Sequence, residues 1–319
     1  MDGILGGMVG RGGWESRVSG FDPGFRRGLR SAIGCRGVGL HSGLPVTMRL
    51  VPVAPGDGIS FCRVDLPGAP VVAARHDFVA DTRMCTVVAD PARAEVRVGT
   101  VEHVMAALAG LGVDDAMIEV DGAEVPILDG SAAEFAFLVQ CAGIVESAVP
   151  RCAIEVVRPV RVVDGAAAAA LVPGASGGFE LALEIGFAAA AIGVQHYAMA
   201  LTAGRFLEEL ARARTFTFAG EVEALQAAGL ARGGSLANAV VVDGDVVVNP
   251  EGLRFPDEFV RHKMLDVVGD LALAGMPVIG RFEGVRTGHR VNNMLLRALF
   301  ADAANYRVVG GVSALAAVA

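Results

Sequence analysis

Lysine is almost missing from this chain. Its 319 residues include one, Lys263, and every other strongly basic side chain is arginine. With a formal net charge of -8, no basic patch is available to carry general nucleic-acid binding. A single anionic small molecule held by a few local cations stays open. Cysteine is also scarce. Cys35, Cys62, Cys85, Cys141 and Cys152 form no Cys-x-x-Cys pair, which excludes a cysteine-built structural zinc cluster. Their odd number fits reduced thiols in a cytoplasmic protein. Long apolar runs are lacking too, although 53% of residues are hydrophobic. None reaches the roughly 20 residues that a spanning helix needs, and the alanine-rich run at 166–172 stops at Pro173, so no stable membrane insertion is expected. Residues 1–25 are glycine-rich and have no apolar run followed by a small-residue cleavage site. They read as a disordered extension, not a signal peptide.

What is present is a series of short strands and a few helices. Alternating or β-branched stretches predict strands at Val46–Val53, Ile59–Val64, Cys85–Val88, Glu95–Val98 and Ala116–Val120. A helix is expected from Thr100 to Leu108, ended by Gly110 and Gly112. Ser131-Ala132-Ala133-Glu134 is a capping box, which predicts a helix to about Ala142. The stretch Ser147–Arg151, around Pro150, reads as a domain boundary. Beyond it come a hairpin (Ile154–Val163, turn Asp164-Gly165, 166–172) and strands at Phe179–Ile185 and His196–Leu201. Helices follow at Phe206–Ala213 and Glu221–Ala228, then a second hairpin, Ala239–Val242 with Asp245–Val248. A helix at Asp257–Leu273, a strand at Val278–Val285 and a helix at Val291–Ala301 complete the pattern. Both halves run strands, then a helix opening near a histidine, then strand and helix. That echo suggests an α+β fold of two similar units facing each other across a cleft.

Three places carry chemistry. In His262-Lys263-Met264-Leu265-Asp266, continuing to Asp270, helical spacing puts His262, Asp266 and Asp270 on one face. Thr100-Val101-Glu102-His103, read alone, is an ordinary helix start. Joined to the first motif, it gives a ligand set of His103, His262 and Asp266 with a fourth position left open, as in a catalytic zinc site. Glu102 is then positioned to take a proton from water. His289 falls after a strand and before a helix. It reads either as a capping residue or as a general acid, with Asp270 a candidate partner. The loop Gly37–Gly43 is no P-loop, because Gly-Lys-Ser/Thr is absent.

Taken together, GVGLHSG (37–43), TVEH (100–103), EVPILDGSA (124–132), RTFTF (214–218), RFPDEFVRHKMLDVVGD (254–270) and Gly288-His289 with Asn292-Asn293 resemble the UDP-3-O-acyl-N-acetylglucosamine deacetylases of lipid A biosynthesis. The resemblance runs from about Ala32 to Val309. It implies two similar domains, each a helix layer on a β-sheet layer, with the site between them. Here these would be 26–148, with a small β insertion, and 152–319, with an insertion near 217–248 that shapes an acyl-chain passage. The resemblance implies Zn2+, or Fe2+, on His103, His262 and Asp266. It makes Glu102 the general base, His289 the general acid supported by Asp270, and Thr215 a hydroxyl that steadies the carbonyl oxygen. Lys263 and Phe216 become substrate contacts. The expected partner is a UDP-sugar carrying an acyl chain, bound by a monomer. A zinc amidase for another acylated substrate and a non-catalytic binding module are the competing expectations.

Overall fold

The computed structural model describes residues 24–310. The extension expected at 1–25 therefore lies, up to residue 23, outside the described residues, and Phe25 already opens a strand. Six α-helices are described: α1 (Glu102–Leu111), α2 (Ala133–Ala142), α3 (Ala203–Arg205), α4 (Ala219–Ala227), α5 (Glu258–Ala272) and α6 (His289–Phe300).

The first half builds a five-stranded sheet in the order Ile33–Val38, Pro45–Val51, Ala116–Val120, Ile59–Arg63, Val71–Ala73. A separate three-stranded sheet, Val79–Asp81 with Val87–Asp90 and Arg93–Val98, packs against the Ile59–Arg63 and Val71–Ala73 strands. The second half has a seven-stranded sheet centred on Val278–Val285. That strand runs parallel to Cys152–Val156 and Phe179–Gly186 and antiparallel to Ala167–Val172. All eight of its residues but Arg281 are buried, as in a strand covered on both faces. A second small sheet, Phe216–Phe218, Val240–Asp243 and Val246–Val247, lies with α4 in the predicted insertion.

The helices α1 and α5 come from different halves and pack on each other, so one continuous apolar core runs through both. Nearly every residue of α1 is buried, and α5 is buried along most of its length. Gly112 (φ 72°) ends α1 and Gly275 (φ 80°) follows the end of α5, the left-handed positions at which helices commonly stop.

Several expectations shift for local reasons. The strand predicted over Ile154–Val163 breaks in two, because Val157 and Arg158 turn their N–H groups to the Asn305 carbonyl and Pro159 has none. The stretch Ser147–Arg151, read as a domain boundary, has strand structure up to Pro150. Ile144–Pro150 is a strand paired with Phe25–Leu29, and only Arg151 separates it from the next strand. The helix predicted over Phe206–Ala213 is α3 followed by a π turn, Phe206–Leu210, closed by the Ala211 N–H on the Phe206 carbonyl. The turn drives Phe206 against Gly110 of α1, where a Cβ would lie 2.4 Å from the ring. The α6 helix starts at His289, two residues before its apolar periodicity begins. The capping box is half formed. Ser131 Oγ accepts from the Ala133 N–H at 3.1 Å, but Asp129, not Glu134, accepts from the Ser131 N–H.

Candidate active site

The site forms where α1 crosses α5. Gly269 permits the crossing: a Cβ there would sit 2.0 Å from the Glu102 carbonyl oxygen. The first turn of α1, with Glu102 and His103, thereby reaches the face of α5 that bears His262, Asp266 and Asp270.

His103, His262 and Asp266 are all buried, and one ligand atom from each falls within 4.8 Å of the others. Asp266 Oδ1 lies 3.4 Å from His262 Nε2 and 3.7 Å from His103 Nε2, and no hydrogen bond reaches it. A buried carboxylate oxygen without a donor is costly. These separations are too long for hydrogen bonds. They suit donors around one ion, since ligands about 2.1 Å from a tetrahedral centre stand roughly 3.4 Å apart. The other carboxylate oxygen, Oδ2, accepts from Lys263 Nζ at 2.6 Å. His262 Nδ1 lies 3.1 Å from the Ala213 carbonyl, which fixes its proton there and leaves Nε2 as a lone pair. Burial, reinforced by His262, pushes the His103 pKa down to about 3, so it too presents a neutral ring. Burial opposes the charge on Asp266, but Lys263 and the histidines outweigh it and hold the carboxyl below its usual range. The donors therefore fit a divalent cation: two neutral imidazoles and a carboxylate.

A second cluster adjoins the first. His289 Nδ1 donates to Asp270 Oδ2 at 2.9 Å, and its Nε2 lies 3.7 Å from Glu102 Oε1. Asp270 also accepts from Asn292 Nδ2 at 2.8 Å and from the Thr86 hydroxyl at 2.6 Å. Burial lowers the His289 pKa, but Asp270 and then Glu102 reverse this and raise it to about 9. Burial pushes Glu102 up to about 7, partly countered by His289. An imidazole that keeps its proton and a carboxylate able to take one stand side by side, matching acid and base roles.

The remaining expected residues are near but differently engaged. Thr215 is held by its backbone, donating to the Gly130 carbonyl and accepting from the Val240 N–H, both at 2.8 Å. The Phe216 ring is half-buried, 5.1 Å from Phe259, 5.5 Å from Phe187 and 6.3 Å from His262 between centroids. Lys263 pairs its ammonium with Asp266 and is partly buried.

Some supporting residues escaped sequence reasoning. Thr86 is one. Glu258 is another: it is fully buried and accepts from the Arg214 N–H and Nε, both at 2.9 Å, tying Ala213–Thr215 to the start of α5. Glu124 accepts from the His41 and Ser42 N–H groups and from the Thr100 hydroxyl, joining the glycine-rich loop to the residue that precedes Val101 and Glu102. Thr100 is β-branched with φ 55°, an unfavourable conformation that this bond helps to hold. Glu258 and Glu124 were signalled only by lying inside motifs, and Thr86 lies in none.

A buried two-histidine, one-carboxylate donor set beside an acid–base pair, on helices crossing between two sheets, defines a metalloenzyme. The particular family follows from comparison with known proteins. Residues 26–301 match the family model of UDP-3-O-acyl N-acetylglycosamine deacetylase, and the chain belongs to that family. Its relatives include proteins named UDP-3-O-acyl-N-acetylglucosamine deacetylase. The one from Phenylobacterium zucineum is 51% identical, covering 85% of this chain and 92% of the relative. Those from Anaeromyxobacter sp. (strain Fw109-5) and Myxococcus xanthus are 48% and 47% identical over 89% of this chain, covering 91% and 89% of the relatives.

Proposed function

We propose that this chain hydrolyses the 2-acetamido group of UDP-3-O-acyl-N-acetylglucosamine, releasing acetate and a free amine for lipid A biosynthesis. Family membership supports the substrate. The single observation that carries the chemistry is the orphaned Asp266 Oδ1 flanked by two imidazole nitrogens. His103, His262 and Asp266 would hold the cation, which we infer to be zinc, with iron(II) suited to the same donors. Such a cation, when bound, lowers the pKa of water towards about 7 and polarises a carbonyl oxygen.

The chain's own residues do the rest. Glu102 Oε2 is tied to the Thr86 N–H at 3.0 Å, which leaves Oε1 to take a proton from the attacking water. His289, its Nδ1–H on Asp270, gives the proton on Nε2 to the departing amine. Thr215 supplies its hydroxyl to the carbonyl oxygen as charge develops. Lys263 fixes the ligand carboxylate and adds positive charge for the substrate's phosphates. Phe216, with Phe187 and Phe259, offers an apolar wall beside His262 that suits an acyl chain, and the insertion near 217–248 continues the passage. The domains divide at 26–148 and 152–319, and the enzyme works as a cytoplasmic monomer. No helix among the described residues is long and apolar enough to cross a membrane, which is consistent with that setting.

The test is acetate release from the UDP-sugar before chelation, after chelation, and after adding back zinc or iron(II). Loss and recovery are expected, with His103→Ala inactive and metal-poor. Undiminished turnover after complete metal removal refutes the reading.

A further inference from the structure

Thr86 lies in neither metal-ligand motif, yet among the described residues it is the one hydrogen-bonded both to Glu102 and to Asp270, the carboxylate that holds His289. It is 1% exposed. Its N–H donates to Glu102 Oε2 at 3.0 Å, and its hydroxyl donates to Asp270 Oδ1 at 2.6 Å. Its carbonyl accepts from the Val101 N–H at 3.3 Å, just ahead of α1. The residue is thus clamped to the start of α1 by two backbone bonds and to α5 by its side chain.

We propose that Thr86 is a positioning residue for the deacetylation, fixing which oxygen of each carboxylate is free to act. On Glu102, the bond to Oε2 leaves Oε1, the oxygen nearest His289, to accept the proton. On Asp270, the bond to Oδ1 leaves Oδ2 to His289 and Asn292. Without the hydroxyl, Asp270 Oδ1 loses the only hydrogen bond described for it and the carboxylate can turn. His289 Nε2 then loses its aim at the leaving nitrogen. The Glu102 bond comes from the backbone and survives side-chain substitution. The effect should therefore fall on the acid side, and on turnover more than on substrate binding. Metal binding should be spared, because Thr86 has no hydrogen bond to His103, His262 or Asp266.

This inference rests on the proposed deacetylation. The experiment compares Thr86→Val, which keeps the shape and loses the hydroxyl, with Thr86→Ser, which does the reverse. For each, kcat and KM on the UDP-sugar substrate, metal content and the His289 imidazole 15N signals would be measured. Thr86→Val should lose about 10- to 100-fold in kcat, the usual cost of removing such a supporting partner. Its KM should stay within about 2-fold, its metal content should be unchanged, and its His289 signals should shift. Thr86→Ser should stay within about 3-fold of wild type on every readout. Wild-type turnover in Thr86→Val, or an equal fall in Thr86→Ser, overturns the proposal. If Thr86→Val does not fold, Thr86→Ala replaces it in the same comparison. A wild-type chain that releases no acetate counts against the proposed function; an active wild type with an unaffected Thr86→Val counts against Thr86 alone.

Discussion

Gly269→Ala should uncouple the fold from the metal site. In α5 the substitution is locally favourable, since alanine exceeds glycine in helix propensity by up to about 1 kcal/mol. The new Cβ would nonetheless stand 2.0 Å from the Glu102 carbonyl oxygen, where ordinary contact begins at 3.4 Å. The shortfall is backbone against backbone at a buried crossing, so no side chain can swing aside. The two helices must separate by about 1 Å, or one must turn. A backbone clash of this size falls in the upper part of the usual overpacking cost, about 2–3 kcal/mol, which leaves a net loss of roughly 1–2 kcal/mol. At about 2–4 °C per kcal/mol, Tm should fall by roughly 2–8 °C. The metal site is less forgiving, because ligand distances hold within about 0.2 Å and His103 rides on α1 while His262 and Asp266 ride on α5. Apparent zinc affinity, measured by competition with a chromogenic chelator, should fall at least 10-fold. Gly204→Ala is the control, a helical glycine with nothing within 4 Å of its would-be Cβ. It should leave both quantities unchanged or slightly raise Tm. A Gly269→Ala protein with wild-type affinity and Tm would refute the claim that this contact sets the helix separation.

Two further predictions concern stability. Glu258→Gln leaves Arg214, 1% exposed, without the carboxylate opposite its Nε; breaking a buried pair costs about 3–5 kcal/mol, so the urea midpoint should drop by about 3 kcal/mol equivalent or more, and a loss under 1 kcal/mol would show the pair to be dispensable. Asp115 is buried, and burial alone would raise its pKa, but Arg26 and the Gly56 and Gly58 N–H groups outweigh that and hold it below the ordinary value. A lowered folded pKa adds stability above the unfolded value of about 3.9, lost as pH falls through the folded one. Asp115→Asn should therefore be about 2 kcal/mol less stable at pH 7. The gap should narrow below pH 4, and a gap that stayed level down to pH 3 would contradict the assignment.

Much of the α+β pattern could be read from periodicity because most elements here follow it. The strand Val278–Val285 and α5 declare themselves by length and composition. The misses cluster where tertiary bonds override local signal. Pro159 splits a β-branched run only because Asn305 is there to receive two N–H groups. The π turn at Phe206–Leu210 exists because Phe206 must meet Gly110. Edge strands such as Phe25–Leu29 and Ile144–Pro150 are half exposed, so they show no clean alternation.

The site divides along the same line. His262, Asp266 and Asp270 could be placed together because one helix spaces them, and one helix is a local object. The approach of His103 depends on α1 crossing α5, and the sequence shows that only as a glycine at 269 among residues that all look helical. What stayed invisible was the layer that aims these side chains: Ala213 through a carbonyl, Thr86 through an N–H and a hydroxyl, Glu258 through a carboxylate on the Arg214 N–H. Most of these bonds have a main-chain group on one side, which every residue possesses, so the sequence carries little trace of the pairing. The side chains proposed for the chemistry are legible in such a protein, whereas the geometry that gathers them is written largely in contacts of the backbone between its two halves.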